Sequence, residues 1–211
     1  MLDNYIITIA RGFGSGGREV AFALSNKLGI PCYSSQILKM ASDYSGINEK
    51  FFVKNDEKLT GLRLLMKLGS VPNTDHIVEP YDKKFTSDNN IFSIQKKIIR
   101  ELAKTQSCVI IGKCSNYILR DYDNVCSVYI EAPRKACVER LKDYLGVDEN
   151  EAASAIIRTD KYRSDYYEYY TGGHSWTNPT EYDMTLNSDR IGIEHCADII
   201  INYLKLKGKI L

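Results

Sequence analysis

The sequence lacks the features that mark several common classes of protein. Lysine and arginine (28) nearly balance aspartate and glutamate (27), so a general binder of nucleic acid or of membrane surfaces is not expected. No stretch approaches the roughly 18 apolar residues that a membrane-spanning helix needs. The opening residues, MLDNYIITIARG, have neither a basic flank nor a long apolar core, so no signal peptide is expected.

The six cysteines are scattered and include no C-x-x-C pair. A tetrahedral zinc site needs closely spaced pairs, so no metal centre is predicted. Several cysteines lie inside apolar runs, as reduced core cysteines do, which favours a cytoplasmic location. The three histidines are isolated and are expected to be surface or structural residues.

What the sequence does contain is an alternation of strand and helix patterns. Continuous apolar runs such as SCVIIGK and VCSVYIEA are typical of strands buried on both faces of a parallel sheet. Segments such as IFSIQKKIIRELAKTQ and PRKACVERLKDYLG carry the spacing of amphipathic helices. The alternation predicts an α/β domain over residues 1–211. Residues 48–90 interrupt it with polar sequence that reads mostly as loop or cover.

The first strand runs into the glycine-rich segment RGFGSGGRE, at residues 11–19. A turn of this kind before a helix lets backbone N–H groups point at an anion. In a phosphate-binding loop of the form G-x-x-x-x-G-K-[S/T], the lysine reaches the outer phosphates and the hydroxyl holds magnesium. Gly12 and Gly17 have the right separation, but Arg18 and Glu19 follow them.

In a second register the loop begins at Arg11 and has Gly16 as its last glycine, so that Gly17 replaces the lysine. Neither register supplies a lysine. Arg18 is the expected replacement, because a positive charge at a helix N-terminus opposes the helix dipole unless an anion binds there. The predicted phosphate-binding residues are Arg11, Gly12, Gly14, Ser15, Gly16, Gly17, Arg18 and Glu19. A glycine-rich turn without a ligand is the alternative.

Six segments of the chain together resemble the cytidylate kinase-like family, a branch of the P-loop nucleoside monophosphate kinases. They are RGFGSGGRE, LGIPCYSSQIL, CVIIGKCSNYIL, VYIEAPRKACVERL, DKYRSDYYEYYTG and YDMTLNS. The resemblance implies a P-loop NTPase-type three-layer fold, with a five-stranded parallel sheet between helices. It also implies transfer of the ATP γ-phosphate to CMP, a small lid that carries arginines, and a substrate subdomain, matched here to residues 48–90.

The segment RTDKYRSDYYEYYTGG matches the family's lid, at residues 158–173, and ends in two glycines that can act as a hinge. By the resemblance its cations close over the phosphates as catalytic residues, together with Arg18. They are Arg158, Lys161 and Arg163. The alternative is a solvated basic helix whose tyrosines pack.

The chain departs from the family pattern where the acceptor is bound. Ser34 stands where the resemblance calls for an aspartate, and Lys113 and Cys114 stand in place of a Gly-Arg-Asp run's arginine and aspartate. Lys113 can still contact a substrate phosphate, as a point charge. The residues predicted to face the acceptor are Ser34, Lys39 and Lys113.

These features predict an ATP-dependent kinase for a small molecule. A nucleoside monophosphate is the expected acceptor, with CMP or dCMP first by resemblance, and magnesium is expected to arrive with ATP, held largely by phosphates and water. Nucleic-acid and membrane partners are not expected. Two alternatives stay open: a nucleotide-binding regulatory protein with a degraded kinase site, and a kinase for a metabolite that is not a nucleotide.

Overall fold

A central sheet of five parallel strands organises the chain. The computed structural model describes residues 4–57, 77, 82 and 84–210. The strands are β1 (Ile6–Arg11), β2 (Cys32–Tyr33), β3 (Cys108–Ile111), β4 (Val125–Glu131) and β5 (Met184–Asn187). Their order across the sheet is β2-β3-β1-β4-β5, and every pair is parallel. The predicted five-stranded parallel sheet is confirmed.

Helices connect the strands. In the described part of the chain they are α1 (Gly17–Leu28), α2 (Gln36–Ser45), α3 (Glu49–Glu57), α4 (Asp88–Thr105), α5 (Ser115–Ile118), α6 (Arg134–Leu145), α7 (Glu149–Thr171), α8 (Ser188–Ile191) and α9 (Ile193–Leu206), with a 3₁₀ turn at Pro179–Glu181. The helix ends follow local chemistry: the Asp148 side chain accepts from the Glu151 amide at the start of α7, and Gly146 ends α6 in the left-handed conformation. None of these helices has the length and apolarity to cross a bilayer.

Alternate strand residues pack against different layers, because successive side chains point to opposite faces of a sheet. Ile7 and Ile9 belong to a cluster with residues of α1 and α9, such as Leu24 and Ile200. Ile6 and Ala10 belong to a second cluster that includes α4 and α7. The three-layer arrangement is therefore built from the continuous apolar runs of β1, β3 and β4.

The second cluster is unusually aromatic, and α7 supplies much of it. Tyr166, Tyr167 and Tyr170 are buried, and the rings of Tyr170 and Phe92 stack with centroids 3.8 Å apart. The Tyr170 hydroxyl donates to the Asp88 carbonyl over 3.1 Å. The predicted lid, residues 158–173, thus consists of the C-terminal part of α7 up to Thr171 and the two glycines that follow it, with several tyrosines in the core. That it moves as a lid stays a prediction.

The predicted substrate-binding segment, residues 48–90, is described only in part. Helix α3 packs Phe52 beside Leu38 and Ile94. The helical patch predicted from LTGLRLLMKLG lies outside the described residues.

Candidate active site

The glycine-rich loop joins β1 to α1 at the carboxyl edge of the sheet, the edge at which open α/β sheets bind ligands. Gly14 and Gly16 have φ values of 79° and 77°, in the left-handed region that favours glycine. At Gly14 a Cβ would also lie 2.7 Å from the Cys137 carbonyl oxygen. The loop can therefore take this path only with glycine at these positions.

Consecutive loop amides point away from protein acceptors. Of the amides of residues 12–19, those of Gly14, Gly16, Gly17, Arg18 and Glu19 have no acceptor among the described residues. The other amides are used internally: Gly12 donates to the Ile130 carbonyl (3.1 Å) and Phe13 to Asp160 Oδ1 (2.8 Å). Five free N–H groups at the start of a 12-residue helix form an anion-binding cradle.

Side-chain hydrogen bonds anchor the loop to β4, α6 and α8. The fully buried Ser15 donates its hydroxyl to the Ile130 carbonyl over 3.0 Å. Ser188 donates to the Ser15 carbonyl, and Arg140 Nη1 donates to the Gly14 carbonyl over 3.3 Å. Ser15 therefore anchors the loop and does not line its cavity. Sequence reasoning missed Arg140 and Ser188, which lie far along the chain from the loop.

A cavity of about 460 Å³ opens in front of the cradle, and we call it the donor cavity. Its described lining consists of Arg11, Gly12, Phe13, Gly14, Gly16, Gly17, Arg18, Glu19, Phe22, Ser34, Ile111, Arg140, Leu141, Tyr144 and Arg163. The predicted phosphate-binding residues, apart from Ser15, are brought together here.

A second cavity of about 380 Å³ adjoins the first, and we call it the acceptor cavity. Its described lining consists of Ala10, Arg11, Ser34, Ser35, Leu38, Val53, Ile111, Gly112, Lys113, Cys114, Asn116, Thr159, Tyr162, Arg163, Tyr166, Tyr167 and Trp176. These residues include three cations and no aspartate, glutamate or histidine. Of the residues predicted to face the acceptor, Ser34 and Lys113 line this cavity. Lys39 is exposed and lines neither cavity.

Two arginines line both cavities and so mark the boundary between them: Arg11 and Arg163. Arg163 Nη1 donates to the Arg11 carbonyl over 2.9 Å and lies 3.5 Å from Asp160 Oδ1. Burial lowers the pKa of Arg11 to about 9, and repulsion from Arg163 adds to the effect while Asp160 opposes it. Arg11 still carries its charge at neutral pH. Positive charge is therefore concentrated where a group passing from one cavity to the other would lie.

Lys113 adds a third cation in a strained turn. Gly112, Lys113 and Cys114 have successive φ values of 72°, 58° and 53°. Two consecutive non-glycine residues in the left-handed region are energetically costly, and such strain concentrates at functional sites. Burial, followed by repulsion from Arg11, lowers the pKa of Lys113 to about 7.

The other predicted cations lie at the edge of the two cavities or outside them. Arg18 is exposed at the edge of the donor cavity, with its guanidinium 5.3 Å from the centre of the Phe22 ring. Arg158 and Lys161 are exposed and line neither cavity, and Lys161 pairs with Asp165 over 2.6 Å. Among the lid cations only Arg163 reaches the site, and catalytic roles for Arg158 and Lys161 stay predictions.

The structure also gives a physical reason for the missing lysine. A Cβ at Gly17 would lie 2.4 Å from the Cβ of Arg11, so the Arg11 side chain occupies the space that a side chain at position 17 would enter. The end of the same side chain packs against Gly112, because a Cβ on that residue would lie only 2.5 Å from Arg11 Nη1. The buried cation beside the loop therefore comes from the end of β1 rather than from the start of α1. The one sequence signal for it is an arginine that directly follows a buried strand.

Comparison with known proteins identifies the family and the fold of the chain. The family model of the cytidylate kinase-like family matches residues 6–190, and the chain belongs to that family. An uncharacterized protein from Eubacterium ventriosum ATCC 27560 has a similar structure, with 26% identity and a TM-score of 0.68 over 96% of this chain and 99% of that one. Shikimate kinase from Bacteroides thetaiotaomicron shares the fold at 13% identity, with a TM-score of 0.51 over 95% of this chain and 98% of that one. No curated protein matches the sequence.

The family and the fold support a kinase that acts on a small molecule. Membership in this family implies the use of ATP, generally with Mg²⁺. The predicted family and the predicted P-loop kinase fold are confirmed.

Proposed function

We propose that the protein transfers the γ-phosphoryl group of ATP to a nucleoside monophosphate, with CMP or dCMP as the first candidates. The observation that carries this proposal is the pairing of two cavities across Arg11 and Arg163. One cavity holds the free loop amides, and the described lining of the other is cationic and contains no carboxylate or histidine.

The donor cavity fits a triphosphate. Its free amides and the N-terminus of α1 would bind phosphate oxygens, with Arg140 and the exposed Arg18 at the edge. Glu19 is the one carboxylate in the described lining, so Mg²⁺ would be held mainly by the phosphates and by water, and would neutralise part of their charge. The free cysteines fit a reducing compartment that contains ATP, such as the cytoplasm.

The lining of the acceptor cavity favours a phosphate over a hydroxyl group as the nucleophile. A hydroxyl acceptor gives up a proton during transfer, and kinases of that kind place a carboxylate beside it as a base. A monophosphate already presents an anionic oxygen and needs cations to bring it close to another anion. Arg11 and Arg163 provide those cations, and Lys113, whose pKa is lowered by burial to about 7, adds a third when it is protonated.

Phosphoryl transfer depends mostly on positioning and on neutralising charge. In this proposal Arg11 and Arg163 hold the transferred group from the boundary of the two cavities. A single well-placed arginine contributes about 10³–10⁵ in rate. Two such residues can replace what the loop lysine supplies in the usual arrangement.

The test is to incubate the protein with ATP, Mg²⁺ and single acceptors, and to separate nucleotides by anion-exchange chromatography. The acceptors are CMP, dCMP, UMP, AMP, GMP and a panel of hydroxyl metabolites that includes shikimate. We expect CDP or dCDP together with an equal amount of ADP, and little ADP without an acceptor. ADP formed only with hydroxyl metabolites would overturn the choice of acceptor. Binding of ATP without ADP in any mixture would support the regulatory protein instead.

A further inference from the structure

One polar side chain in the acceptor cavity is held in a single orientation by hydrogen bonds to Tyr167 and Glu181. Asn116, on the short helix α5, is 7% exposed and lines the cavity. Its Nδ2 donates to the Tyr167 hydroxyl over 2.8 Å and lies 3.5 Å from the Glu181 carbonyl oxygen. Both N–H groups of the amide are therefore directed at protein acceptors.

The neighbours of the amide determine which end faces the cavity. The nearest acceptor for the Tyr167 hydroxyl proton, apart from Asn116 itself, is Glu181 Oε2 at 3.5 Å, and a carboxylate can only accept. A reversed amide would place its oxygen against the Glu181 carbonyl and would compete with Glu181 for the tyrosine proton. His174 Nδ1 lies 2.7 Å from the other carboxylate oxygen, which fixes Glu181 in turn. The network from His174 to Asn116 therefore keeps the amide nitrogen toward Tyr167.

It follows that Asn116 Oδ1 is the end presented to the cavity. Within the described residues it accepts no hydrogen bond, although the residue is more than nine-tenths buried. Oδ1 keeps access to the cavity and can accept from a ligand donor there, whereas a ligand that fills the cavity without a donor would leave this acceptor unmatched, which is costly. Four aromatic residues line the same cavity: Tyr162, Tyr166, Tyr167 and Trp176. They suit a flat ring more than an extended polar chain.

We propose that Asn116 is a specificity-determining residue whose Oδ1 accepts a hydrogen bond from an N–H or O–H group of the acceptor nucleotide. This inference rests on the proposed function and deepens it. The cations Arg11, Lys113 and Arg163 bind the phosphate, whereas Asn116 selects the part of the molecule beyond the phosphate. Glu181 acts as a positioning residue, because it lies outside the cavity and orients Tyr167.

The experiment removes donors from the nucleotide and the acceptor atom from the protein. The nucleotides are CMP, N4,N4-dimethyl-CMP without the exocyclic N–H, dCMP without the 2′ hydroxyl, and 3′-deoxy-CMP. For each, kcat/KM is measured with the parent, Asn116→Ala, Glu181→Gln and the control Asn124→Ala. Asn124 is half-buried and likewise donates its amide to protein acceptors, the carbonyls of Asn4 and Ala103, but it lines neither cavity.

With the parent, removing one of these donors should lower kcat/KM by about 5- to 150-fold relative to CMP. In Asn116→Ala the same ratio should fall toward one, while the KM for ATP stays close to that of the parent. Glu181→Gln should reduce the ratio in part, because glutamine can donate to the Tyr167 oxygen and allow the amide to reverse. Asn124→Ala should keep the parent's ratio.

A merely structural role for Asn116 would lower kcat/KM for all four nucleotides equally. Unchanged ratios in Asn116→Ala would therefore overturn the inference while leaving the kinase proposal intact. If Asn116→Ala does not fold, Glu181→Gln decides, and an unchanged ratio in that variant overturns the inference. If the parent phosphorylates none of the monophosphates, the proposed function fails and this inference fails with it.

Discussion

Replacing Arg11 with methionine should stabilise the unliganded protein and at the same time remove most of its kinase activity. Arg11 is largely desolvated between the loop, Gly112 and Arg163. Burial is the largest cause of its lowered pKa, and repulsion from Arg163 is the next largest cause in the same direction. Methionine keeps a flexible apolar stem in the same space and brings no charge.

The expected gain in stability is about 1–4 kcal/mol, the range for replacing a whole buried ion pair by apolar groups, because Asp160 keeps Arg134 and Arg163 as partners and no carboxylate is left unpaired. For a chain of this size, each kcal/mol raises the midpoint of thermal unfolding by about 2–4 °C. The pKa of Arg11 is lower in the folded protein, about 9, than its ordinary 12.5. The penalty for its charge is therefore complete below pH 9 and declines above it, so the advantage of the variant should shrink as the pH rises past 9.

Activity should change in the opposite direction. Loss of a cation at the boundary of the two cavities should lower kcat by about 10³–10⁵. Arg18→Ala is the direct comparison, because the sequence singled out Arg18, whereas the structure leaves it exposed. Arg120→Met is the matched control for the substitution, since Arg120 is exposed and lines neither cavity.

The measurements are differential scanning calorimetry without nucleotide and initial rates with ATP, Mg²⁺ and CMP. An Arg11→Met protein that melts below the parent would show that the burial penalty is smaller than the contacts it accompanies. An Arg11→Met protein as active as the parent, together with an inactive Arg18→Ala protein, would show that Arg18 and not Arg11 supplies the cation beside the loop.

Three further predictions test the surroundings of the site. Because the pKa of Lys113 is lowered to about 7, the side chain is mostly neutral at pH 8, and binding of CMP at that pH should be accompanied by uptake of a proton. Calorimetry in buffers of different ionisation enthalpy measures this uptake, and Lys113→Arg should abolish it. If the parent takes up no proton, Lys113 does not bind the phosphate of CMP in the way proposed. Gly17→Lys should not raise activity and should lower the melting temperature, since its Cβ would meet Arg11 at 2.4 Å; an active, stable variant would refute this crowding. Within residues 158–173, amide hydrogen exchange at the first turns should become slower when ATP and CMP are added, whereas exchange at the buried tyrosines should be slow with and without these ligands. Uniform exchange along the segment, unaffected by ligands, would count against a lid.

The sequence predicts the sheet and the loop because both depend on local patterns. A continuous apolar run such as that of β3 can be satisfied only inside a layered structure, and a glycine-rich turn between strand and helix has few alternatives. The same holds for the helix ends at Gly146 and Asp148, where one residue decides the local backbone.

The side chains that complete the site could not be predicted in this way. Asn116 lies on a helix of four residues, too short for any periodicity, and its orientation depends on Tyr167 and Glu181, which follow it by 51 and 65 positions. The sequence favours Arg18 as the phosphate-binding cation because the helix dipole is a local argument, and that role stays a prediction. The packing of Arg11 against Gly112 is a contact between neighbouring strands, which the sequence does not encode locally.

The cation supplied by β1 depends on the turn after β3, whereas a lysine in the usual loop depends on the loop alone. Gly112→Ala should therefore damage activity more than stability. A Cβ there would lie 2.5 Å from Arg11 Nη1, so the guanidinium would retreat by about 1 Å, and a shift of that size can cost about 10² in rate.

Folding should suffer less, because the displaced atom is the end of a flexible side chain. The left-handed φ of 72° at Gly112 adds about 1–2 kcal/mol of strain for alanine. Gly29→Ala is the matched control: its φ is 65°, and its Cβ would meet nothing within 4 Å, so it carries the same backbone penalty without touching the site. In the Arg11→Met background, assayed at high enzyme concentration, the further loss caused by Gly112→Ala should shrink to about twofold. Equal losses in both backgrounds would mean that Gly112 acts on the acceptor cavity through Lys113 and not through Arg11.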